Sequence, residues 1–325
     1  MRVQTQASQL GYRANQVARS MVTGRTNTIG FVSADMENPF FARTMRGIAD
    51  VARAAGYEVV IANSQEDPAL ERRAVQTLHE RRIDGLILAP AQCEDSSHLR
   101  PLLADGTPLV MLDRAVRGLD ADAVLVNNVD AARAGVQRLI ELGHRRIGLL
   151  TTELPAHRPM ELLAEVALDP THARTSAARA VGYLAALRAA GLPVDRSLIG
   201  IAAYTRAGAH DAATSLLAAP DRPTALLTVD NMLSLGAYEA ILDSGLAFPG
   251  DVSLLGFDDL DWTTIVRPRL SVIAQPAYDL GATAARRLLA RLGGEQSPPQ
   301  TLFLETSLLE RDSITPVAAG WLANQ

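Results

Sequence analysis

The feature that most restricts the fold of this 325-residue chain is an alternation of two periods: short apolar runs rich in β-branched residues, each followed by a longer stretch of helical spacing. Residues 28–33 (TIGFVS) read as a buried strand. In the helix expected over 39–55, the side chains of Phe41, Met45, Ile48, Ala52 and Ala55 share one face. Further strands are expected at 58–62, 85–89, 109–112 and 123–126, with helices over 68–81 and 96–104 between the earlier ones. In a second series, helices over 131–142, 175–190, 207–217 and 232–243 separate strands at 147–150, 198–202, 225–229 and 252–257. A last helix over 278–292 precedes a final strand at 301–309. Strands that alternate with helices pair in parallel, in sheets covered on both faces. About ten such strands exceed one ordinary open sheet, so the chain is expected to build two doubly wound α/β domains.

Doubly wound sheets hold ligands beyond the carboxyl ends of their strands. In this chain the post-strand loops at 35–41, 63–67, 113–117, 230–231 and 258–262 are rich in carboxylates, amides and aromatics. Each Asp or Asn taken singly reads equally well as a helix cap. Together they read as the wall of a pocket for a small polar molecule, in a cleft between two facing domains.

Composition removes several alternatives. All 31 basic residues are arginine, so a phosphate loop of the G-x-x-x-x-G-K type, a protein-kinase strand lysine and a pyridoxal Schiff base are excluded. The single cysteine, Cys93, cannot form an intramolecular disulfide or a multi-thiolate zinc site, and reads as a buried, inert thiol in a reducing compartment. Six scattered histidines show no ligand spacing, and no serine elbow or zinc-protease motif occurs. Asp258 and Asp259 are adjacent, so in an extended segment they point to opposite sides and form no dyad. His144 reads as a helix-terminal residue near the negative end of the dipole. No catalytic residue, metal or cofactor is therefore expected. The first residues carry no apolar core of a secretory signal, and no run reaches the ~20 apolar residues of a membrane span, so a cytoplasmic protein is expected.

The net charge of −5 conceals an asymmetry. Residues 1–26 hold Arg2, Arg13, Arg19 and Arg25 and no acid, a charge of +4, which leaves −9 on the rest. Residues 1–10 and 15–23 can each form a short helix, the second with Asn15 as N-cap and Gly24 as its stop. A helix of about nine residues is marginal in water without packing, so the composition alone also fits a solvated basic arm.

The segment Leu10-Gly11-Tyr12-Arg13-Ala14-Asn15-Gln16-Val17-Ala18-Arg19-Ser20-Met21 resembles the piece that joins the DNA-binding headpiece to the effector domain in the lac and galactose repressor family. The resemblance continues through Thr28-Ile29-Gly30-Phe31, Asn38-Pro39-Phe40-Phe41, Asp84-Gly85-Leu86-Ile87, Leu142-Gly143-His144-Arg145-Arg146-Ile147 and Pro223-Thr224-Ala225. It extends to Gly256-Phe257-Asp258-Asp259, Gln275-Pro276 and Arg311-Asp312-Ser313. It implies a type I periplasmic-binding-protein-like fold: two doubly wound parallel-sheet subdomains with three crossovers, behind a partial helical headpiece and hinge. The implied segments are 1–26 for headpiece and hinge, 27–127 with 272–303 for the N-terminal subdomain, 128–271 with 304–317 for the C-terminal one, and a tail at 318–325. Met1 falls within what would be the third headpiece helix, so the helices that read the major groove lie outside the sequence as given. Ala14 stands where the family has a hinge proline, and Met21 replaces its wedging leucine. Asn15, Ala18, Arg19 and Met21 are the implied DNA contacts of the hinge. Residues 151–178 are longer than the family usually has between that strand and the next helix.

For the effector, the resemblance points to Arg179 in Arg179-Ala180-Val181-Gly182-Tyr183, to Asp258 after the late strand, and to Asp113 and Asp230. Phe40 and Phe41 resemble ring-stacking aromatics, with a core role equally open. Tyr204 falls in a segment one residue short, and Trp262 could cap a ring or pack between subdomains. Carboxylates, aromatics and a planar guanidinium suit a sugar or sugar derivative, then a nucleoside. The implied protein is a homodimeric, effector-responsive regulator of operator DNA that works by a two-state subdomain closure coupled to its hinge helices, with no membrane association. A solute receptor of the same fold and an enzyme are the rival readings. On this reading, replacing Arg179 or Asp258 by alanine removes a ligand-induced thermal shift and spares unliganded stability.

Overall fold

The computed structural model describes residues 25–152 and 170–317. They form two compact units. One takes in the described residues to Leu112, Gly118–Ala123 and Tyr278–Gln300; the other holds Asp113–Arg117, Val124–Ala277 and the described residues from Thr301. Asn15, Ala18, Arg19, Met21, most of the 151–178 insertion and the 318–325 tail lie outside the described residues.

The first sheet has the order β11-β5-β4-β3-β1-β2, from β1 (Thr28–Ser33), β2 (Glu58–Asn63), β3 (Gly85–Leu88), β4 (Leu109–Leu112), β5 (Asp122–Val126) and β11 (Thr301–Leu304). The second has the order β12-β10-β9-β8-β6-β7, from β6 (Ile147–Thr151), β7 (Ile199–Ile201), β8 (Ala225–Thr228), β9 (Ser253–Phe257), β10 (Ser271–Ala274) and β12 (Ser307–Leu309). Pairing is parallel across β2-β1-β3-β4 and β7-β6-β8-β9-β10, and antiparallel where β12 closes on β10. The chain leaves the first sheet after β5, leaves the second after β10, and passes from β11 in one to β12 in the other, which makes three crossovers.

The helices are α1 (Pro39–Ala54), α2 (Pro68–Glu80), α3 (Arg100–Ala104), α4 (Asn128–Glu141), α5 (Thr175–Ala189), α6 (Arg206–Leu217), α7 (Asn231–Asp243), α8 (Asp261–Ile265) and α9 (Ala277–Leu292). Their starts follow from side-chain caps. Asn38 accepts from Phe40 N and Asp67 from Ala69 N, each with proline at the next position, where a missing N–H costs nothing. Asn127, Thr205 and Asp230 cap α4, α6 and α7 in the same manner. Capping thus accounts for several of the loop carboxylates and amides read as pocket groups.

Four elements depart from the expected pattern, one of them the short α8, which lies where only a post-strand loop is expected. The helix expected over 96–104 is only α3, starting at Arg100. The strand at Ser271–Ala274, between Pro268 and Pro276, is too short for periodicity to reveal and belongs to the second sheet. The run 301–309 is two strands, separated at Glu305-Thr306 and paired in different sheets.

Signature residues outside the loops have structural work. His144 is buried, with Nδ1 on Thr224 Oγ1 at 2.9 Å and Nε2 on the Thr315 carbonyl at 3.0 Å. Burial holds its imidazole below the usual range, so it bridges the two segments as a neutral ring rather than as a charge on the helix dipole. The Ser313 hydroxyl donates to Leu254 O at 2.6 Å and accepts from Ser271 N at 2.7 Å, while Arg311 reaches Asp259 at 2.6 Å, pinning the last described segment to β9 and β10. In the first unit, buried Asp122 ion-pairs with Arg287 at 3.0 Å and Arg291 at 2.6 Å, tying β5 to the end of α9.

Candidate functional site

The carboxyl ends of β8, β9 and β10 converge with the first turns of α4, α5 and α7 in the second unit, and polar side chains gather there. Gly182 explains how Arg179 arrives. A Cβ at Gly182 would fall inside van der Waals contact of the Val129 carbonyl oxygen, so only glycine lets α5 lie this close to α4. Tyr183 then fixes the helix by donating its hydroxyl to Ile147 O at 2.7 Å. One turn earlier, Arg179 is 4% exposed. Its Nε donates to Asn128 Oδ1 at 2.8 Å, its Nη1 donates to Val229 O at 2.7 Å, and its guanidinium lies 4.1 Å from the centroid of Phe257. Both hydrogen bonds and the cation–π contact depend on a planar fork, which lysine could not reproduce. Nη2 makes no hydrogen bond with the described residues, so one edge of the fork is left to donate to a ligand.

Asp258 leaves β9 with φ +70°, a left-handed conformation that is uncommon for a side-chain-bearing residue and is found at sites where geometry is imposed. Its carboxylate is held on both sides: Gln275 Nε2 donates to Oδ1 at 2.7 Å and Asn231 Nδ2 to Oδ2 at 3.4 Å. Gln275 Oε1 is buried and has no hydrogen-bond partner among the described residues. An orphaned acceptor at this position marks a place where a donor such as a hydroxyl fits.

Asp230 caps α7 through Oδ1, which accepts Met232 N at 2.7 Å, and Tyr204 reaches its Oδ2 at 3.5 Å, the outer limit of a hydrogen bond. Burial first, and then the Asp258 charge, push the Asp230 carboxyl up to about 7, against the opposing pull of Met232 N and Arg179. At neutral pH the Asp230 carboxyl is therefore near its titration midpoint.

The other expected residues are distributed as follows. Asp113 leaves β4 with φ +69°, buried beside Arg114, whose Nε and Nη2 stand 3.4 Å from Asp113 Oδ2. This loop belongs to the second unit. Phe40 and Phe41 belong to the first unit, 5% and 4% exposed, with rings edge-on at 5.0 Å. Tyr204 is exposed and reaches the cluster through the long contact to Asp230. Trp262 stands edge-on to Tyr238 at 6.0 Å and packs against the core of the second unit. The cluster thus gathers Arg179, Asp230 and Asp258, with Tyr204 at its margin. Asn128 and Gln275 join the site from outside the expected residues, while Arg114 and Asn231 lie in the 113–117 and 230–231 loops expected to wall the pocket. Gln275-Pro276 is one of the motifs that carry the family resemblance, but a neutral amide gives no periodic or charge signal of its role.

Two expectations for solution behaviour follow. Arg179→Ala strands Val229 O and Asn128 Oδ1 and is expected to lower unfolding free energy by about 3 kcal/mol in urea titrations, against the sparing effect expected from sequence. A loss below about 1 kcal/mol would show that these bonds contribute little. The Asp230 carboxyl titrates in the folded chain well above the ordinary carboxylate range, so its proton favours the folded state. Stability should rise as pH falls from above 7 toward 4 and be lost as pH rises through about 7. Asp230→Asn keeps a capping side chain, and should raise the melting temperature at pH 8 relative to wild type while closing that gap at pH 4.5; a pH-independent difference would contradict the raised carboxyl.

No helix of the described residues is long and apolar enough to cross a membrane. Residues 26–307 match the family model described as periplasmic binding proteins and sugar binding domain of LacI family. The ribose operon repressor of Haemophilus influenzae is 32% identical over 308 residues, covering 94% of this chain and 87% of that protein. The ribose operon repressor of Escherichia coli K12 is 30% identical over 312 residues, covering 96% and 89%. Among solved structures, a LacI family transcriptional regulator from Enterococcus faecium with bound ribose is 25% identical with a TM-score of 0.76, covering 90% of this chain and 100% of that one. With a family match over most of its length, and a fold of two parallel-dominated sheets shared with these regulators, the chain belongs to the LacI family of ligand-responsive transcriptional regulators.

Proposed function

We propose that the cluster around Arg179 and Asp258 binds a neutral sugar, a pentose such as ribose before a hexose or nucleoside, and that its occupancy alters operator binding through the segment preceding Thr26. The observation that carries this reading is the combination at one set of strand ends of a carboxylate oriented by two amides, an orphaned amide oxygen and a guanidinium edge with no partner among the described residues. Vicinal hydroxyls donate to the carboxylate in pairs and accept from the guanidinium, and a neutral ligand adds no charge to a site that already contains both signs. Asp230, titrating near neutrality, can accept from a hydroxyl or donate to one. Asp113 and Arg114 supply a second buried carboxylate and guanidinium in the same unit. Ribose in the names of two relatives and in one related structure supports the pentose. As in the family at large, a homodimer on operator DNA is the form in which this reading operates.

A thermal-shift panel of ribose, a hexose and a nucleoside tests it. Ribose at a hundredfold excess over its dissociation constant should stabilise the folded chain by about 2.7 kcal/mol and raise the melting temperature by several degrees. A shift with the nucleoside alone would reassign the ligand class, and no shift with any of the three would remove the support for a sugar.

A further inference from the structure

The second-unit cluster is not the only buried polar arrangement at the carboxyl end of a sheet. Three positions of α2 face the core of the first unit, Glu71, Val75 and Leu78, spaced as the apolar stripe of an amphipathic helix. One of them is an acid with no solvent exposure. The Glu71 carboxylate reaches out of α2 to residues 89–99, which connect β3 to α3: Oε2 accepts Ala91 N at 2.5 Å and Oε1 pairs with His98 Nε2 at 2.8 Å. The His98 side chain is itself 8% exposed, and its Nδ1 is buried without a hydrogen-bond partner among the described residues. Cys93 lies between these two tie points and is 1% exposed. An exposed bridge, Arg72 to Asp95 at 2.8 Å, spans the same loop from outside.

A buried hydrogen-bonded pair of polar groups adds little net stability compared with an apolar filling, because desolvation offsets the attraction, but losing one partner is costly. Its effect is to select one conformation of the loop it ties. The unpartnered Nδ1 keeps the pair short of full satisfaction, so the loop should open more readily than the sheet behind it unfolds. The loop also leaves the carboxyl end of the interior strand β3, the side of the sheet on which doubly wound folds place their ligands.

We propose that Glu71 and His98 form a latch that holds residues 89–99 closed over Cys93, and that the loop opens locally when this pair breaks. The thiol, packed away in the closed loop, reacts only in the open form, and an adduct on its sulfur would prevent the loop from closing again. The latch is thus a conformational device of the first unit, separate from the Arg179 cluster.

The test uses the full chain under native conditions with 5,5′-dithiobis(2-nitrobenzoate), whose disulfide is attacked by the Cys93 thiolate to give a mixed disulfide and one released thionitrobenzoate per thiol. Cys93 is the chain's single cysteine, so the colour change reports this loop alone. His98→Ala or Glu71→Gln should accelerate labelling by about ten- to a hundredfold, whereas Arg72→Ala should change it by less than about twofold. In wild type, the labelling rate should depend on urea far more weakly than global unfolding does, a readout that survives if a variant fails to fold. The proposal is overturned if the latch variants label at the wild-type rate, if Arg72→Ala accelerates labelling as much as they do, or if wild-type labelling follows global unfolding in its urea dependence.

Discussion

The second unit is organised around one buried guanidinium. A charged group removed from water must replace its lost solvation with directed contacts, and Arg179 finds them in the Asn128 amide, the Val229 carbonyl and the face of Phe257. Those partners come from the start of α4, the end of β8 and the end of β9, so their relative positions are set by a single side chain. The requirement propagates backward into the sequence: α5 must lie against α4 without a Cβ at Gly182, and Tyr183 must reach Ile147 to fix the helix rotation. It also propagates outward, since the positive charge opposes the mutual repulsion of Asp230 and Asp258.

The two carboxylates are differentiated by their surroundings. Asp258 receives two amide donors and a left-handed backbone, which aim it and keep it in place. Asp230 has a backbone N–H from the helix it caps, a deep position and a charged neighbour, and its carboxyl is pushed up to about 7. A site with one fixed acceptor, one group able to donate or accept, and a half-used guanidinium matches the pattern of alternating donors and acceptors that neighbouring hydroxyls present. Asp230 also shows that capping and recognition need not exclude each other, because one oxygen terminates α7 while the other remains at the cluster.

Much of the architecture was legible because periodicity reports burial, and both sheets are buried on two faces. Runs such as 147–150 and 225–229 have no polar face and can only be central strands of a covered sheet. What escaped was short or had its partner chosen by topology. The four residues of β10 carry too little pattern to stand out between prolines, and nothing within 301–309 says that its halves pair in different sheets. In the site, Arg179 and Asp258 were reached through motif spacing, which encodes close packing at Gly182 and a strand-end turn. Asn128 and Gln275 were missed because a neutral amide gains its role from the side chains that surround it. His144 was assigned to a helix dipole when its ring bridges Thr224 and Thr315, a link between segments 80 and 171 residues away that local sequence cannot display.

The central claim is that Asp258, oriented by Gln275 and Asn231, receives the hydroxyls of a neutral sugar. Isothermal titration of ribose into wild type and Asp258→Asn, with urea midpoints measured on both, tests it most directly. The expected result is one ribose per wild-type chain, and affinity weakened by at least about thirtyfold in the variant with a near-native midpoint. Equal affinities in two equally folded proteins would contradict it.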